Sequence, residues 1–268
     1  MPTIKLLGIR LLHLPGAAGM TANDINDHGQ VAGQFTDANG SAHGFLYDDE
    51  SFSQLDYPGA TATNITGINN LGQIAGQFLD AQGVSQGFFW DRGTFGPPLS
   101  FPGATATFVN ALNDRAEMVG VYQCATPGTH GFLYKAGRFS ALNYPGATEL
   151  SAEAINNSGQ IVGNFPDSHG THGCVYLENA GVFSPPLNRQ GSPVVALRGI
   201  NHNGQIVGGF MDLQGNEHPF VFLGECMNPI SIPNAVSASL NGINDQGQVT
   251  GNSVSPGGSA SFIAVLPV

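Results

Sequence analysis

Hydrophobic and polar positions along this chain follow one pattern six times. A branched aliphatic residue is followed by Asn, two variable positions, usually Gly, and then Gln-[Ile/Val]-x-Gly. These cores begin at Ile25, Ile68, Leu112, Ile155, Ile200 and Ile243, with separations of 43, 44, 43, 45 and 43 residues. Ahead of each core, apolar residues alternate with polar or small ones, the period-2 pattern of a half-buried strand. After it come an Asp/Gly-containing turn such as Asp80-Ala81-Gln82-Gly83, and then a short aromatic run such as Gln86-Gly87-Phe88-Phe89-Trp90. A further strand ends in Tyr57-Pro58-Gly59-Ala60, Phe101-Pro102-Gly103-Ala104 or Tyr144-Pro145-Gly146-Ala147. In the second unit the predicted strands cover 62–68, 73–79, 86–91 and 95–101, separated by sound turn chemistry.

Four short strands in a unit of about 44 residues predict a β-propeller blade. Six such units predict an all-β, six-bladed ring spanning residues 1–268. The last unit holds only its first three strands, through Ser261-Phe262-Ile263-Ala264-Val265. Its missing outer strand matches the N-terminal Leu11-Leu12-His13-Leu14-Pro15-Gly16-Ala17, so the N-terminal strand is expected to complete the sixth blade and close the ring.

The repeat resembles the HAF-repeat family of extracellular proteins, named for a His-Ala-Phe element. That element stands here as His43-Gly44-Phe45, His130-Gly131-Phe132, His172-Gly173-Cys174 and His218-Pro219-Phe220, with Gln86 and Ser261-Phe262 as departures. The resemblance covers essentially the whole chain and implies a propeller and frequent export. It implies no particular activity.

Composition fits this picture. Gly and Pro, 38 and 17 of 268 residues, supply turns, while 41% apolar content supplies a core. A net charge of −11 repels phosphate backbones and argues against nucleic-acid partners. No apolar run is long enough for a membrane span. The segment Met1–Leu14 lacks the unbroken apolar stretch of a signal peptide. The chain is therefore expected to work either outside the cytoplasm, with a leader missing from this sequence, or inside the cell, and as a monomer. Cys124, Cys174 and Cys226 form neither a metal spacing nor an obvious disulfide framework. Cys174 replaces a repeated Phe and is expected to be a core thiol.

Propeller geometry decides which residues converge. The first strand of each blade lies nearest the axis, and later strands lie successively about 4.8 Å farther out. The repeated histidines, on third strands, are thus too far apart to share a metal, and are expected to order their own blades. Asn26, Asn69, Asn113, Asn156, Asn201 and Asn244 are expected to open tight turns. The turns at Asp37, Asp80, Asp167 and Asp212 resemble no calcium loop. No metal and no cofactor is predicted.

The convergent positions lie two residues before each anchor: Asn23, Thr66, Asn110, Glu153, Arg198 and Asn241. Four residues before it stand Thr21, Asn64, Phe108, Ser151, Ala196 and Ser239. Glu153 and Arg198 break a neutral pattern and lie on adjacent blades, so an ion pair across the channel wall is one expectation and an acid/base or ligand-anchoring role another. Asn64, Phe108 and Ser151, with the loop aromatics Tyr57, Phe101 and Tyr144, are further candidates for a channel-mouth ligand site, although packing between blades is the other role open to the aromatics. His13, Met20 and Asp24 are non-repeated residues near the junction of the first and last blades. Nucleophile and phosphate-loop motifs are absent. The expected function is recognition of a carbohydrate or small organic molecule at the channel mouth. The alternatives are a hydrolase, lyase or cyclase centred on Glu153 and Arg198, and a structural scaffold.

Overall fold

A computed structural model describes residues 3–224 and 226–267. Six sheets, antiparallel apart from one added edge strand, form a six-bladed propeller. The innermost strands are Gly19–Ile25, Ala62–Ile68, Ala106–Leu112, Ser151–Ile155, Val195–Ile200 and Ser237–Ile243. The strand Leu7–Leu12 pairs antiparallel with Gly258–Val265 and completes the sixth blade, as the sequence predicted. Upstream of it, Ile4–Lys5 pairs parallel with Cys226–Ser231 and adds a fifth strand to blade five. The N-terminal segment therefore ties down both blades at the end of the chain.

The outer strands of blades two and four are shorter than the pattern predicted. Blade two has Thr94–Phe95 rather than 95–101, and blade four has Val182–Phe183. Pro97-Pro98 and Pro185-Pro186 follow, and proline has no N–H to give a ladder. Pairing resumes for one residue beyond each, Leu99 with Gly87 and Leu187 with Gly173.

The core lies between blades. Phe45, Phe88, Phe132, Phe220 and Phe262, from the third strands, are fully buried. Each contributes roughly 2–3 kcal/mol of apolar burial. Cys174 fills the same slot in blade four, and burial pushes its thiol up to about 12, so it is protonated and unreactive at neutral pH.

Every innermost strand carries a β-bulge, and the extra residue is the same in each repeat. The register shifts fall between Ala22/Asp24, Ile65/Gly67, Val109/Ala111, Ala152/Ala154, Leu197/Gly199 and Leu240/Gly242. The bulged residues are therefore Asn23, Thr66, Asn110, Glu153, Arg198 and Asn241. A bulge re-aims its side chain, which explains why this position converges on the axis. The motif glycine is the counterpart on the second strand. A Cβ on Gly33, Gly76, Gly120 or Gly208 would meet a carbonyl oxygen of the innermost strand at 2.0–2.1 Å.

Candidate functional site: the axial channel

Two side-chain rings surround the axis. The first is made of the six repeated asparagines, all nearly inaccessible to solvent. Five of them accept two N–H bonds from their own turn, as Asn26 Oδ1 does from His28 and Gln30, and Asn201 accepts one, from Gln205. Each Nδ2 also donates to the backbone carbonyl of the corresponding asparagine in the next blade. The six links run Asn26 to Asn69, Asn69 to Asn113, Asn113 to Asn156, Asn156 to Asn201, Asn201 to Asn244 and Asn244 back to Asn26, at 2.9–3.2 Å. The predicted turn role holds, and a closed belt between blades is added to it.

The bulged residues form the second ring. Asn23 donates to Ile65 O at 2.7 Å, Thr66 to Val109 O at 2.7 Å, Asn110 to Ala152 O at 2.9 Å, and Asn241 to Ala22 O at 2.8 Å. All four therefore stitch one blade to the next. Glu153 and Arg198 do something else. An ionised carboxylate has no proton to donate. Asn164, on the second strand of blade four, bonds Leu197 in Glu153's place: its Nδ2 donates to Leu197 O at 3.0 Å, and its Oδ1 accepts from Leu197 N at 2.8 Å. Glu153 Oε1 accepts only a long bond, 3.4 Å, from Asn164.

The expected Glu153–Arg198 pair does not form. Arg198 Nη1 lies 2.5 Å from Glu217 Oε1, within its own blade and without a hydrogen-bonding angle. Glu217 reaches Arg198 by passing over Gly209, where a Cβ would sit 2.1 Å from the same carboxylate oxygen. The sequence signal was a double departure: Gly209 stands where the other repeats place Gln34, Gln77, Val121, Asn164 and Asn252.

Between the two rings lies a cavity of about 90 Å³, room for roughly three waters. Asn23, Thr66, Asn110, Glu153, Arg198 and Asn241 all line it. It opens past the asparagine turns, where Asp27, Asn70, Asp114, Asn157, His202 and Asp245 form the rim. Asn70 Nδ2 bridges Asp27 and Asp114 at 2.8 and 3.2 Å. Asn157 Nδ2 donates to Asp114 at 2.6 Å. Sequence reasoning placed the mouth at the opposite end, beside the Pro-Gly-Ala loops.

That difference relocates several candidates. Asn64, Phe108 and Ser151 do not line the cavity, and Asn64 Oδ1 instead accepts from Asn23 at 3.2 Å. Tyr57, Phe101 and Tyr144 form no aromatic rim. They stack face to face on Phe78, Tyr122 and Phe165 of the following blade, with centroids 3.8, 3.7 and 3.9 Å apart. The histidines sit outward: His172 and His218 bond the turn aspartates Asp167 and Asp212, both at 2.7 Å, His43 bonds Asp56 at 2.8 Å, and His130 lies 3.4 Å from Thr126 O. Gln86 makes the equivalent bond to Asp80 at 2.8 Å. Among the described residues, no group of three or more His, Cys, Asp or Glu converges as metal ligands.

One channel residue stands apart electrostatically. Asp24 occupies the position filled elsewhere by Gly67, Ala111, Ala154, Gly199 and Gly242. Burial pushes its carboxyl up to about 7, against the lowering effect of N–H bonds from Ile68 and Ile25. Gly242 makes room for it, since a Cβ there would lie 2.8 Å from Asp24 Oδ1. The channel wall thus holds a carboxyl that exchanges its proton near neutrality.

No protein-family model matches the chain, and no curated protein matches it in sequence. Solved structures do match it over nearly its full length. AofleA from Arthrobotrys oligospora is 16% identical, with a TM-score of 0.59, covering 97% of this chain and 87% of its own. A candidate gluconolactonase is 15% identical, with a TM-score of 0.61 and coverage of 97% and 94%. The Aleuria aurantia lectin, solved with Fucα1-6GlcNAc, is 12% identical, with a TM-score of 0.53 and coverage of 96% and 98%. At these identities the likeness establishes the propeller fold.

Proposed function

We propose that this propeller is a ligand-binding protein that reads one polar edge of a carbohydrate or small organic molecule in its axial channel. The observation carrying this reading is the division within the bulged ring. Four of its members are committed to joining blades, whereas Glu153 and Arg198 line the same cavity without that duty. A carboxylate and a guanidinium facing one small polar cavity suit vicinal hydroxyls or a carbonyl with an adjacent hydroxyl. The size of the cavity limits insertion to an edge, leaving the rest of the ligand against the Asp/Asn rim. The HAF-repeat resemblance and a site of action outside the cytoplasm belong to the same proposal.

The test is a thermal-shift screen of free monosaccharides and sugar lactones, run on wild type and on Glu153→Gln. Stabilisation follows affinity through mass action. A hit with wild type that disappears in the variant is expected. No hit among these compounds, or equal hits in both proteins, would count against the reading.

A second reading, catalysis, is favoured by Asp24 alone. A carboxyl titrating near 7 is suited to general acid/base work. Sugar lactones from the same screen serve as substrates. Turnover that rises or falls through pH 7 and vanishes in Asp24→Asn would establish it.

A further inference from the structure

The gap between blades six and one is built from the same repeat as the gaps entering blades two to five, but with a smaller residue in its loop position. In the three gaps entering blades two, three and four, a loop ring stacks on the second-strand ring of the following blade at 3.7–3.9 Å. In the gap entering blade five, Arg189 takes the loop position and its guanidinium lies 4.0 Å over Phe210. Each of these positions places a flat group on a flat group. The gap entering blade one has Phe35 as its second-strand ring but Leu14 in the loop position. On the blade-six side, Ser261 stands where blade one has Gly44, pairing with Asn252 as Gly44 pairs with Gln34, and adds a hydroxyl to this gap.

Leu14 and Phe35 line one cavity of about 630 Å³, together with Met20, His13, Gln34 and Ser261. The gap entering blade six, where the pair is Ile232 and Ser253, has a smaller cavity of about 230 Å³. The seam cavity therefore has the volume of a small-molecule site. Among the described residues, the aromatic contact of Phe35 is with His43, at 5.2 Å and tilted by 31°. No Asp, Glu, Lys or Arg lines the cavity, and its polar groups are hydroxyls, an amide and the imidazole of His13.

We infer that the seam is a second binding site, distinct from the channel, which takes a neutral planar ring bearing a hydroxyl or amine on its edge. The ring lies on Phe35 as Tyr57 lies on Phe78, and the edge group bonds to Gln34, His13 or the neighbouring hydroxyls. Charged ligands are disfavoured because no opposite charge awaits them there. Offset stacking on an aromatic face contributes beyond simple burial.

2-Naphthol, a neutral planar ring with one hydroxyl, is the probe, followed by its fluorescence. Wild type is expected to bind one equivalent. Leu14→Tyr restores the sister pattern, so it is expected to weaken binding at least tenfold while raising the melting temperature. Phe35→Leu keeps most of the apolar volume and removes the ring, and is expected to weaken binding at least tenfold in a protein whose circular dichroism is unchanged. If Leu14→Tyr does not fold, Phe35→Leu decides alone. No binding by wild type up to the solubility limit of 2-naphthol, or undiminished binding in the folded variants, would overturn the inference.

Discussion

The asparagine belt and the bulged ring encircle the same axis, and they differ in how completely the repeat is kept. In the belt, six identical residues make six equivalent inter-blade bonds, and each is buried. In the bulged ring four residues make such a bond, while the carboxylate and the guanidinium do not. A position kept in all six blades is explained by closure of the ring. A position broken in two adjacent blades, with Asn164 compensating for one break, is not required for closure. The difference separates residues that hold the propeller together from residues available to a ligand.

Removing a belt residue should have the largest effect. Asn156→Ala leaves the carbonyl of Asn201 and the turn N–H groups of Ser158 and Gln160 without their partner. A loss of roughly 3 kcal/mol is expected in chemical denaturation, since each buried unsatisfied group costs about 1–3 kcal/mol. A bulged residue that still joins blades should cost less. Asn110→Ala removes one bond to Ala152 and is expected to lose about 1 kcal/mol by the same measurement. Equal losses in the two variants would erase the distinction between the rings.

Asp24 sharpens the comparison through pH. Its folded value of about 7 lies above its ordinary 3.8, so the native state binds the proton more tightly than the unfolded chain. Its contribution is favourable at low pH and is lost as pH rises through 7. The melting temperature of Asp24→Asn relative to wild type should therefore become more positive between pH 5 and pH 8. A constant difference across that range would show that the carboxyl titrates normally. Glu117 shows the opposite sign. It replaces the repeated Gln, and although burial pushes it up, bonds from Arg115, Asn113 and Lys135 win and hold it at about 2. The stability it confers is complete above its ordinary value of 4.5 and fades as pH falls toward 2.

Most of the architecture was legible because the repeat repeats. Six spaced cores and a missing outer strand determined blade number and closure without knowledge of any contact. The convergence of Asn23, Thr66, Asn110, Glu153, Arg198 and Asn241 was legible for the same reason. The bulge that produces it was not, because alternation alone does not show where one extra residue enters a ladder. Its trace was the Gly of Gln-[Ile/Val]-x-Gly, which lies against the displaced carbonyl. The partner of Arg198 was missed because Glu217 belongs to a third strand and reaches inward only over Gly209. The aromatic rim was misplaced because Tyr57 and Phe78 lie 21 residues apart on separate elements, and their stacking is a tertiary contact. Asp24 carried a readable sign, an acid where five repeats place Gly or Ala, but its proton affinity depends on burial.

The account turns on Glu153 being free for a ligand rather than needed by the fold. The most direct measurement is a calorimetric titration of wild type and Glu153→Gln with the sugar or lactone that most stabilises wild type, alongside the melting temperature of each protein. The account predicts at least a tenfold loss of affinity in Glu153→Gln and a melting temperature unchanged within about 1–2 °C, as for a substitution worth under about 0.5 kcal/mol. Undiminished affinity, or a variant destabilised as much as Asn156→Ala, would contradict it.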